Sequence, residues 1–133
     1  MLSSDREILD YGFEAFNRGD FFAASEYFHP GIVWRDPAEV PDPSEHHGPE
    51  AVRTLWHSFA EQWTGMRMDP LEFVEDGERT MVRVKFSGYG RESGAPMELE
   101  FFQVWTYRDL RATQVDSFLS RELAEQALRA QPV

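Results

Sequence analysis

The sequence predicts an α+β fold, in which a curved antiparallel sheet wraps around N-terminal helices. Apolar residues recur at the spacing of helices as far as Gly65, and from Met66 onward the apolar spacing changes to two, as in half-buried strands. The 133 residues fit one domain, 1–133, without internal repeats, linkers or low-complexity segments. Helices that cover one face of such a sheet form a cup with it, and small-molecule sites often lie in such a cup.

Two helices are predicted at the start of the chain. A capping box of Ser4 with Glu7 begins a first helix of about 4–18. Asp20 is a suitable N-cap for a shorter second helix that continues through Phe28. Both precede the first strand.

A short strand, Ile32–Asp36, comes next, and a proline-rich acidic loop separates it from helix three. Pro49 suits a first helical position, and Gly65 ends the helix. The wide apolar stripe of this helix contains Val52, Leu55, Trp56, Phe59 and Trp63.

The rest of the chain reads as four antiparallel strands and a closing helix. Turn residues such as Asp76-Gly77 separate segments in which apolar residues alternate. The strands are predicted near 66–73, 82–86, 97–107 and 111–118. Ser120 caps the last helix, 121–130.

Composition excludes several classes of function. A formal charge of −11 opposes binding to nucleic acid or to anionic lipid, because like charges repel. The absence of cysteine excludes disulfides, thiol catalysis and thiolate metal sites. No apolar run approaches the roughly 20 residues that span a bilayer, and the N-terminus lacks a signal-peptide pattern. We expect a cytoplasmic protein with no membrane or nucleic-acid partner.

Several catalytic motifs are also missing from the sequence. It contains no Gly-x-Gly-x-x-Gly, no phosphate-loop pattern, no Gly-x-Ser-x-Gly and no His-Glu-x-x-His. These absences disfavour nucleotide hydrolysis, dinucleotide redox chemistry and the common serine and zinc hydrolases. We expect no cofactor.

Asp36 is the first candidate for catalysis. Alternation places Ile32, Trp34 and Asp36 on one face of the strand, so the carboxylate shares a side with an indole. Burial among apolar walls penalises the charged form of a carboxylate and suits it to proton transfer. The alternative is that Asp36-Pro37 only opens a turn.

Gln103 is the only amide on an otherwise apolar strand face. The other residues of that face are Met97, Leu99, Phe101, Trp105 and Tyr107. A buried amide needs partners. Gln103 is therefore bonded either to a neighbour or buried water, or to a ligand oxygen.

Asp116 is a third candidate, and its direction is open. Neither possible face, Ala112/Gln114/Asp116/Phe118 or Val115/Ser117/Leu119, is cleanly apolar. A pocket position and an exposed or dimer-interface position fit equally well. Arg83 and Lys85 alternate with apolar residues and are expected to point away from the core.

His46 and His47 could form a metal cluster with Asp36, Asp42 and Glu45. Adjacent residues in an extended segment point to opposite sides, and no His-x-x-x-His spacing supports the cluster, so we expect no metal. The default reading is a solvated loop pair. If one histidine lines a pocket or titrates near Asp36, His47 is the preferred one.

Four sequence segments resemble those of the nuclear-transport-factor-2-like superfamily, in particular its ketosteroid-isomerase and SnoaL-like polyketide-cyclase branches. They are Phe16–Asp20, Val33–Pro37, His47–Val52 and Gln114–Phe118. The resemblance spans nearly the whole chain and implies a cystatin-like fold with a cone-shaped pocket. It also implies a homodimer formed through the outer face of the sheet.

The resemblance extends to single positions. Asp36 falls where the isomerases place their general base, and Gln103 where they have a protonated aspartic acid in the oxyanion hole. Gly12 stands at the position of the family's tyrosine donor, with Tyr11 one residue out of step. Asp116 resembles an acidic residue on the last strand of the polyketide cyclases.

We therefore expect a pocket for a small, largely apolar molecule that bears a carbonyl or enol. Asp36 or Asp116 would abstract a proton next to the carbonyl, and Gln103, with Tyr11 or His47, would stabilise the enolate. The reaction would be a cofactor-independent isomerisation or cyclisation; the alternative is a non-catalytic binding or interaction module. The expected pocket walls are Trp34, Trp56, Phe59, Trp63, Phe86, Phe101 and Trp105.

Overall fold

The computed structural model describes residues 2–130 and contains four helices and six strands within them. The helices are α1 (Asp5–Asn17), α2 (Phe21–Ala24), α3 (Pro49–Gln62) and α4 (Arg121–Arg129). The strands are β1 (Phe28–Arg35), β2 (Glu45–His47), β3 (Trp63–Asp76), β4 (Arg79–Gly90), β5 (Pro96–Arg108) and β6 (Arg111–Phe118). The predicted α+β class is confirmed. Residues 1 and 131–133, which the predicted domain includes, lie outside the described residues.

All six strands form one sheet in the order β2-β1-β6-β5-β4-β3. Neighbouring strands are antiparallel, as predicted, except for β1 and β6, which run parallel. A parallel pair needs a long crossover, and here the chain passes through α3 and the whole meander before β6 returns beside β1. Register shifts in β3, including one between Pro70 and Glu72, are irregularities of the kind that bend a strand.

Two predicted helix ends were wrong, both at aromatic residues that the sheet uses. Helix α2 ends at Ala24, and Phe28 begins β1 instead, with its ring against Trp34 and Trp56. Helix α3 ends before Trp63, which pairs with β4 and packs edge-to-face on Phe86. Packing with distant residues overrides the helical spacing at both positions.

Strand β2 was not predicted, because its three residues were read as part of a loop. It pairs with β1 in antiparallel register, with Trp34 opposite His46 and Arg35 opposite Glu45. The backbone N–H of Asp36 donates to the carbonyl of Ser44 at 3.0 Å and extends this pairing. The proline-rich loop is therefore the turn of a wide hairpin.

The main core lies between α1–α3 and one face of the sheet, called here the inner face. Residues from α1, α3 and four strands fill it: Ile8, Leu9, Phe13, Phe16, Val52, Trp56, Trp34, Val82, Val84, Trp105 and Val115. Asn17 attaches α1 to β3, because its side chain donates to the Met68 carbonyl at 2.8 Å and accepts from the Met68 N–H at 2.7 Å.

Helix α4 packs on the opposite, outer face, so the expectation that the helices gather on one face was wrong for α4. Ala124 and Leu128 of this helix contact a second apolar cluster that contains Met81, Phe102 and Val104 of β4 and β5. The outer face therefore has a buried part of its own. A homodimer through this face stays a prediction. Arg83 and Lys85 also lie on the outer face, as predicted, and there they form ion pairs with glutamates.

Candidate functional site

A cavity of about 40 Å³ lies between α1 and the inner face of the sheet. One water molecule needs roughly 10–15 Å³, so the space is larger than a single water site. Most of its walls are apolar: Ile8, Leu9, Gly12, Phe13, Phe16, Ala24, Phe28, Met68 and Ala112. The remaining lining residues each carry a polar group on a large side chain: Tyr11, Tyr27, Trp34, Trp56, Gln103, Trp105 and Tyr107.

Three tryptophans make the aromatic wall of the cavity. Trp34 packs edge-to-face on Trp56 and on Trp105, with ring centroids 5.6 and 5.5 Å apart. Phe28 contacts all three indoles. These rings hold one another in place, because edge-to-face contacts are favourable and each ring fills space that another would need in order to rotate. The wall is thus preorganised for a flat or apolar ligand.

Gln103 is only 3% exposed and lines the cavity from β5. Its Oε1 accepts a hydrogen bond of 3.0 Å from the indole Nε1 of Trp105. An indole N–H can only donate, so the contact identifies which amide atom is oxygen and leaves the Nε2 donors on the other side. Within residues 2–130, Nε2 makes no hydrogen bond. Gln103 is therefore a fixed amide with a free donor.

Tyr107, two residues beyond Trp105 on the same face, is 2% exposed and also lines the cavity. Burial, together with the nearby Asp5 carboxylate, raises the pKa of its phenol well above the usual value. The hydroxyl stays protonated and can donate. The resemblance to isomerases gave no indication of this residue, although the alternation of β5 had placed it on the correct face.

Tyr11 lines the cavity but its hydroxyl is already used. It donates to Glu26 Oε1 at 2.9 Å, and this hydrogen bond raises the pKa of Tyr11. Its ring packs edge-to-face on Tyr27 at 5.8 Å. Tyr11 thus forms a wall of the cavity rather than a free donor within it.

Asp36 directly follows β1 and does not line the cavity. Its Oδ1 is 3.1 Å from His46 Nε2, and its Oδ2 accepts from the Ser44 N–H at 3.0 Å. The side chain is 27% exposed. Asp36 is therefore held by polar partners at the edge of the sheet, in place of the apolar walls expected from the alternation of the strand.

His46, not His47, is the histidine beside Asp36. It lies opposite Trp34 in the β1–β2 register, so it shares the inner face. The prediction that His47 would be the histidine near Asp36 was wrong. The His47 side chain lies on the other face, is 65% exposed, and contacts Glu45 at 3.2 Å. A strand places adjacent residues on opposite sides, and the register of β2 decides which one points inward.

Asp116 lies on the outer face, so it does not share a side with the cavity. It is opposite Arg35 and Val104 in the sheet register, while its neighbour Val115 is opposite the inward-facing Trp34 and Trp105. Its carboxylate accepts from Arg35 Nη1 at 2.9 Å and from Gln114 Nε2 at 2.6 Å. The hydrogen bonds that Arg35 donates to Glu45 and Asp116 raise the pKa of its guanidinium and keep it charged.

Four predicted walls also lie outside the cavity. Phe59 and Phe101 are partly buried against the main core, and Trp63 packs on Phe86. The register pairs Phe86 with Leu99, which is exposed, so these residues belong to a less covered end of the inner face. The lining residues that sequence reasoning missed come mainly from α1 and the α2–β1 connection: Ile8, Leu9, Phe13, Phe16, Ala24, Tyr27 and Phe28. The helical spacing of α1 was the signal that could have identified its members.

A family model described as a SnoaL-like domain matches residues 10–115. The chain belongs to the SnoaL-like family. This confirms the resemblance that the four sequence segments indicated, and the matched region includes the whole cavity apart from Ile8 and Leu9. No curated protein matches this SnoaL-like protein.

Solved structures share the architecture of this SnoaL-like protein. A nuclear-transport-factor-2-like protein from Burkholderia pseudomallei is 23% identical with a TM-score of 0.74, and the match covers 97% of this chain and 100% of that one. A protein from Catenulispora acidiphila with a ketosteroid-isomerase-like fold, solved with trimethylamine, is 15% identical with a TM-score of 0.75, covering 95% and 98%. A candidate polyketide cyclase from Sinorhizobium meliloti is 26% identical with a TM-score of 0.68, covering 86% and 99%. The predicted fold is confirmed.

Two further findings concern residues 2–130 of the SnoaL-like protein. No group of three or more histidine, aspartate or glutamate side chains comes together there in a way that could hold a metal ion. In the same range, no helix has the length and apolar character to cross a membrane.

Proposed function

We propose that this SnoaL-like protein binds a small, largely apolar molecule through a carbonyl or enol oxygen, in the cavity beside Gln103. The free Nε2 donor of Gln103 is the observation on which the proposal rests. This donor faces the cavity with no protein partner, so a ligand oxygen there would form a hydrogen bond with it. The aromatic and aliphatic walls favour an apolar ligand body.

Family membership and one solved relative support a small-molecule ligand. Small-molecule sites are typically concave and mostly apolar, with a few polar groups that fix orientation, as here. The Catenulispora protein was solved in complex with trimethylamine, a small molecule. Binding without chemistry is sufficient to account for the cavity, so a non-catalytic binder is the simplest form of this function.

The test measures ketone binding through the intrinsic fluorescence of the tryptophans, because three of the four tryptophans line the cavity. We expect straight-chain methyl ketones to bind more tightly than alkanes of equal length, and Gln103→Leu to remove most of that difference. A neutral hydrogen bond contributes about 0.5–1.5 kcal/mol net, which corresponds to roughly a 2- to 13-fold change in Kd. Equal binding of ketone and alkane to the unaltered protein would refute the proposal.

Proton abstraction next to the carbonyl, leading to isomerisation or cyclisation without a cofactor, is a second candidate function. The contact between Asp36 and the inward-facing His46 favours it, because it holds the carboxylate on the same side of the sheet as Gln103. Two strand spacings separate β1 from β5, or about 10 Å. In this mechanism Asp36 removes the proton and Gln103 stabilises the enolate oxygen.

Exchange of the protons next to the carbonyl for deuterium tests this second function without knowledge of the natural substrate. We expect the protein to accelerate exchange in a bound ketone, as followed by NMR, and Asp36→Asn to abolish the acceleration while leaving binding intact. Asp116→Asn is the matched control, since its carboxylate lies on the outer face, and it should exchange like the unaltered protein. Unchanged exchange in Asp36→Asn would eliminate Asp36 as the base.

A further inference from the structure

Tyr107 provides a second polar group in the cavity that no protein group satisfies. Its phenolic oxygen makes no hydrogen bond within residues 2–130, although the side chain is 2% exposed. In that part of the chain, every side-chain nitrogen or oxygen that is sealed from water has a hydrogen-bond partner. The free polar atoms of Tyr107 and Gln103 are therefore not enclosed by apolar atoms on all sides. Both residues line the cavity, so we infer that these atoms face it.

The two free donors stand at separate places along one strand. Gln103, Trp105 and Tyr107 are successive residues on the inner face of β5, and four residues of strand span about 13 Å. The rings of Trp105 and Tyr107 stack with an interplanar angle of 15° and centroids 6.2 Å apart, so Tyr107 rises beside the indole on the side away from Gln103. The Trp105 indole lies between the two donors, because it bonds to Gln103 on one side and stacks on Tyr107 on the other. One ligand oxygen cannot bond to both donors.

Both groups act as donors at neutral pH. The hydrogen bond from Trp105 fixes the Gln103 amide oxygen and leaves its NH₂ group free to donate. The raised pKa of Tyr107 keeps its hydroxyl protonated. The lining between them is aromatic, and Asp36 and Asp116 do not line the cavity; the Asp5 carboxylate lies near Tyr107 but is not a lining residue either. A cavity with two donors and apolar walls favours acceptor groups on the ligand.

We propose that the preferred ligand carries two acceptor oxygens on an apolar body, such as a diketone, with one oxygen bonded to Gln103 and the other to Tyr107. This inference rests on the proposed function, which requires only the oxygen at Gln103, and it narrows the ligand class. Tyr107 is then the residue that distinguishes two-oxygen ligands from simple ketones.

The experiment compares straight-chain methyl ketones with diketones of the same chain length that have a carbonyl near each end. Affinities are measured by tryptophan fluorescence for the unaltered protein, for Tyr107→Phe, which removes only the hydroxyl, and for Tyr89→Phe. Tyr89 is exposed and outside the cavity, so it serves as the matched control. Thermal unfolding of each variant verifies that it is folded.

A diketone has two equivalent carbonyls that can meet Gln103, so a twofold preference is expected from statistics alone. We expect the diketone of one chain length to exceed this twofold preference. It should bind about 5- to 20-fold more tightly than the methyl ketone of the same length, because a second hydrogen bond forms. Tyr107→Phe should reduce the preference to about twofold, while Tyr89→Phe keeps it.

The possible failures are distinguishable. If methyl ketones bind but no diketone exceeds the twofold preference, or if Tyr107→Phe keeps a larger one, the two-oxygen inference is overturned and the proposed function stands. If the unaltered protein binds neither series, the proposed function fails and the inference fails with it.

Discussion

The indole N–H of Trp105 and the side-chain oxygen of Gln103 form a buried hydrogen bond of 3.0 Å between alternate residues of one strand. This contact decides the orientation of the amide that the proposed function uses. It also satisfies the only polar atom of a tryptophan that packs against Trp34 and Phe28. The donor in the cavity and the aromatic wall are thus held by the same interaction.

Replacement of Gln103 by leucine should destabilise the protein by about 1–3 kcal/mol, because the buried indole N–H loses its partner. The free energy of unfolding from urea denaturation, followed by circular dichroism, measures this cost. Trp105→Phe removes the N–H itself. In the Gln103→Leu background it should therefore cost less than in the unaltered protein, with a coupling energy of roughly 0.5–3 kcal/mol. Additive costs would show that the two residues do not support each other.

Asn17 should contribute to the free energy of unfolding by a similar amount, because its side chain connects α1 to the backbone of β3. Its side chain both donates to and accepts from the backbone of Met68, which lines the cavity. Asn17→Ala removes both hydrogen bonds and should lower the free energy of unfolding by about 1–3 kcal/mol. Asn17→Asp keeps an acceptor and replaces the donor by a carboxylate. Its loss of stability should shrink in acid, where a protonated carboxyl can donate again, and equal losses at neutral and acid pH would contradict the assigned contacts.

The local patterns predicted what depends on local periodicity. Alternation along β5 correctly placed Gln103, Trp105 and Tyr107 on one face, since a strand repeats every two residues whatever its partners are. The apolar spacing of α1 likewise predicted a helix that reaches the core. The fold class and the aromatic wall follow from these elements.

The positions of the carboxylates depend on pairings that are distant in sequence, and these could not be predicted. Strand β6 has inner residues such as Val115 in the main core, while Phe118 packs toward α4 on the outer face, so apolar character does not distinguish the two faces at Asp116. A register shift in β6, between Ala112 and Gln114, further breaks the alternation of that strand. Asp36 meets His46 only because the wide hairpin brings β2 beside β1.

The position of α4 on the outer face predicts a clear difference between two leucines of the same helix. Leu128 is 2% exposed in the cluster with Met81 and Phe102, and Leu123 is 39% exposed. Leu128→Ala should lower the free energy of unfolding by about 2–5 kcal/mol, because it removes buried methyl groups and leaves a cavity. Leu123→Ala is the matched control and should stay within about 1 kcal/mol. Similar costs for both variants would mean that α4 does not pack as described.

Glu72 should make the stability of the protein depend on pH in acid. Arg121 donates to both of its carboxylate oxygens at 2.9 Å, and Arg83 donates to Oε1 at 3.2 Å. These hydrogen bonds, those from Arg121 first, lower the pKa of Glu72 from the usual 4.5 to about 2. A carboxyl whose pKa is lower in the folded than in the unfolded state stabilises the fold above the unfolded value and loses that contribution as pH falls through the folded value.

The contribution of Glu72 is therefore complete above about pH 5 and disappears between about pH 4.5 and 2. Urea denaturation at several pH values should show the unaltered protein losing stability more steeply in this window than Glu72→Gln, with the two curves converging near pH 2. Glu98→Gln, which removes a more exposed carboxylate from the same face of the sheet, controls for the change in net charge. Because Arg121 belongs to α4, parallel curves for the unaltered protein and Glu72→Gln would mean that this ion pair does not form between the helix and the sheet.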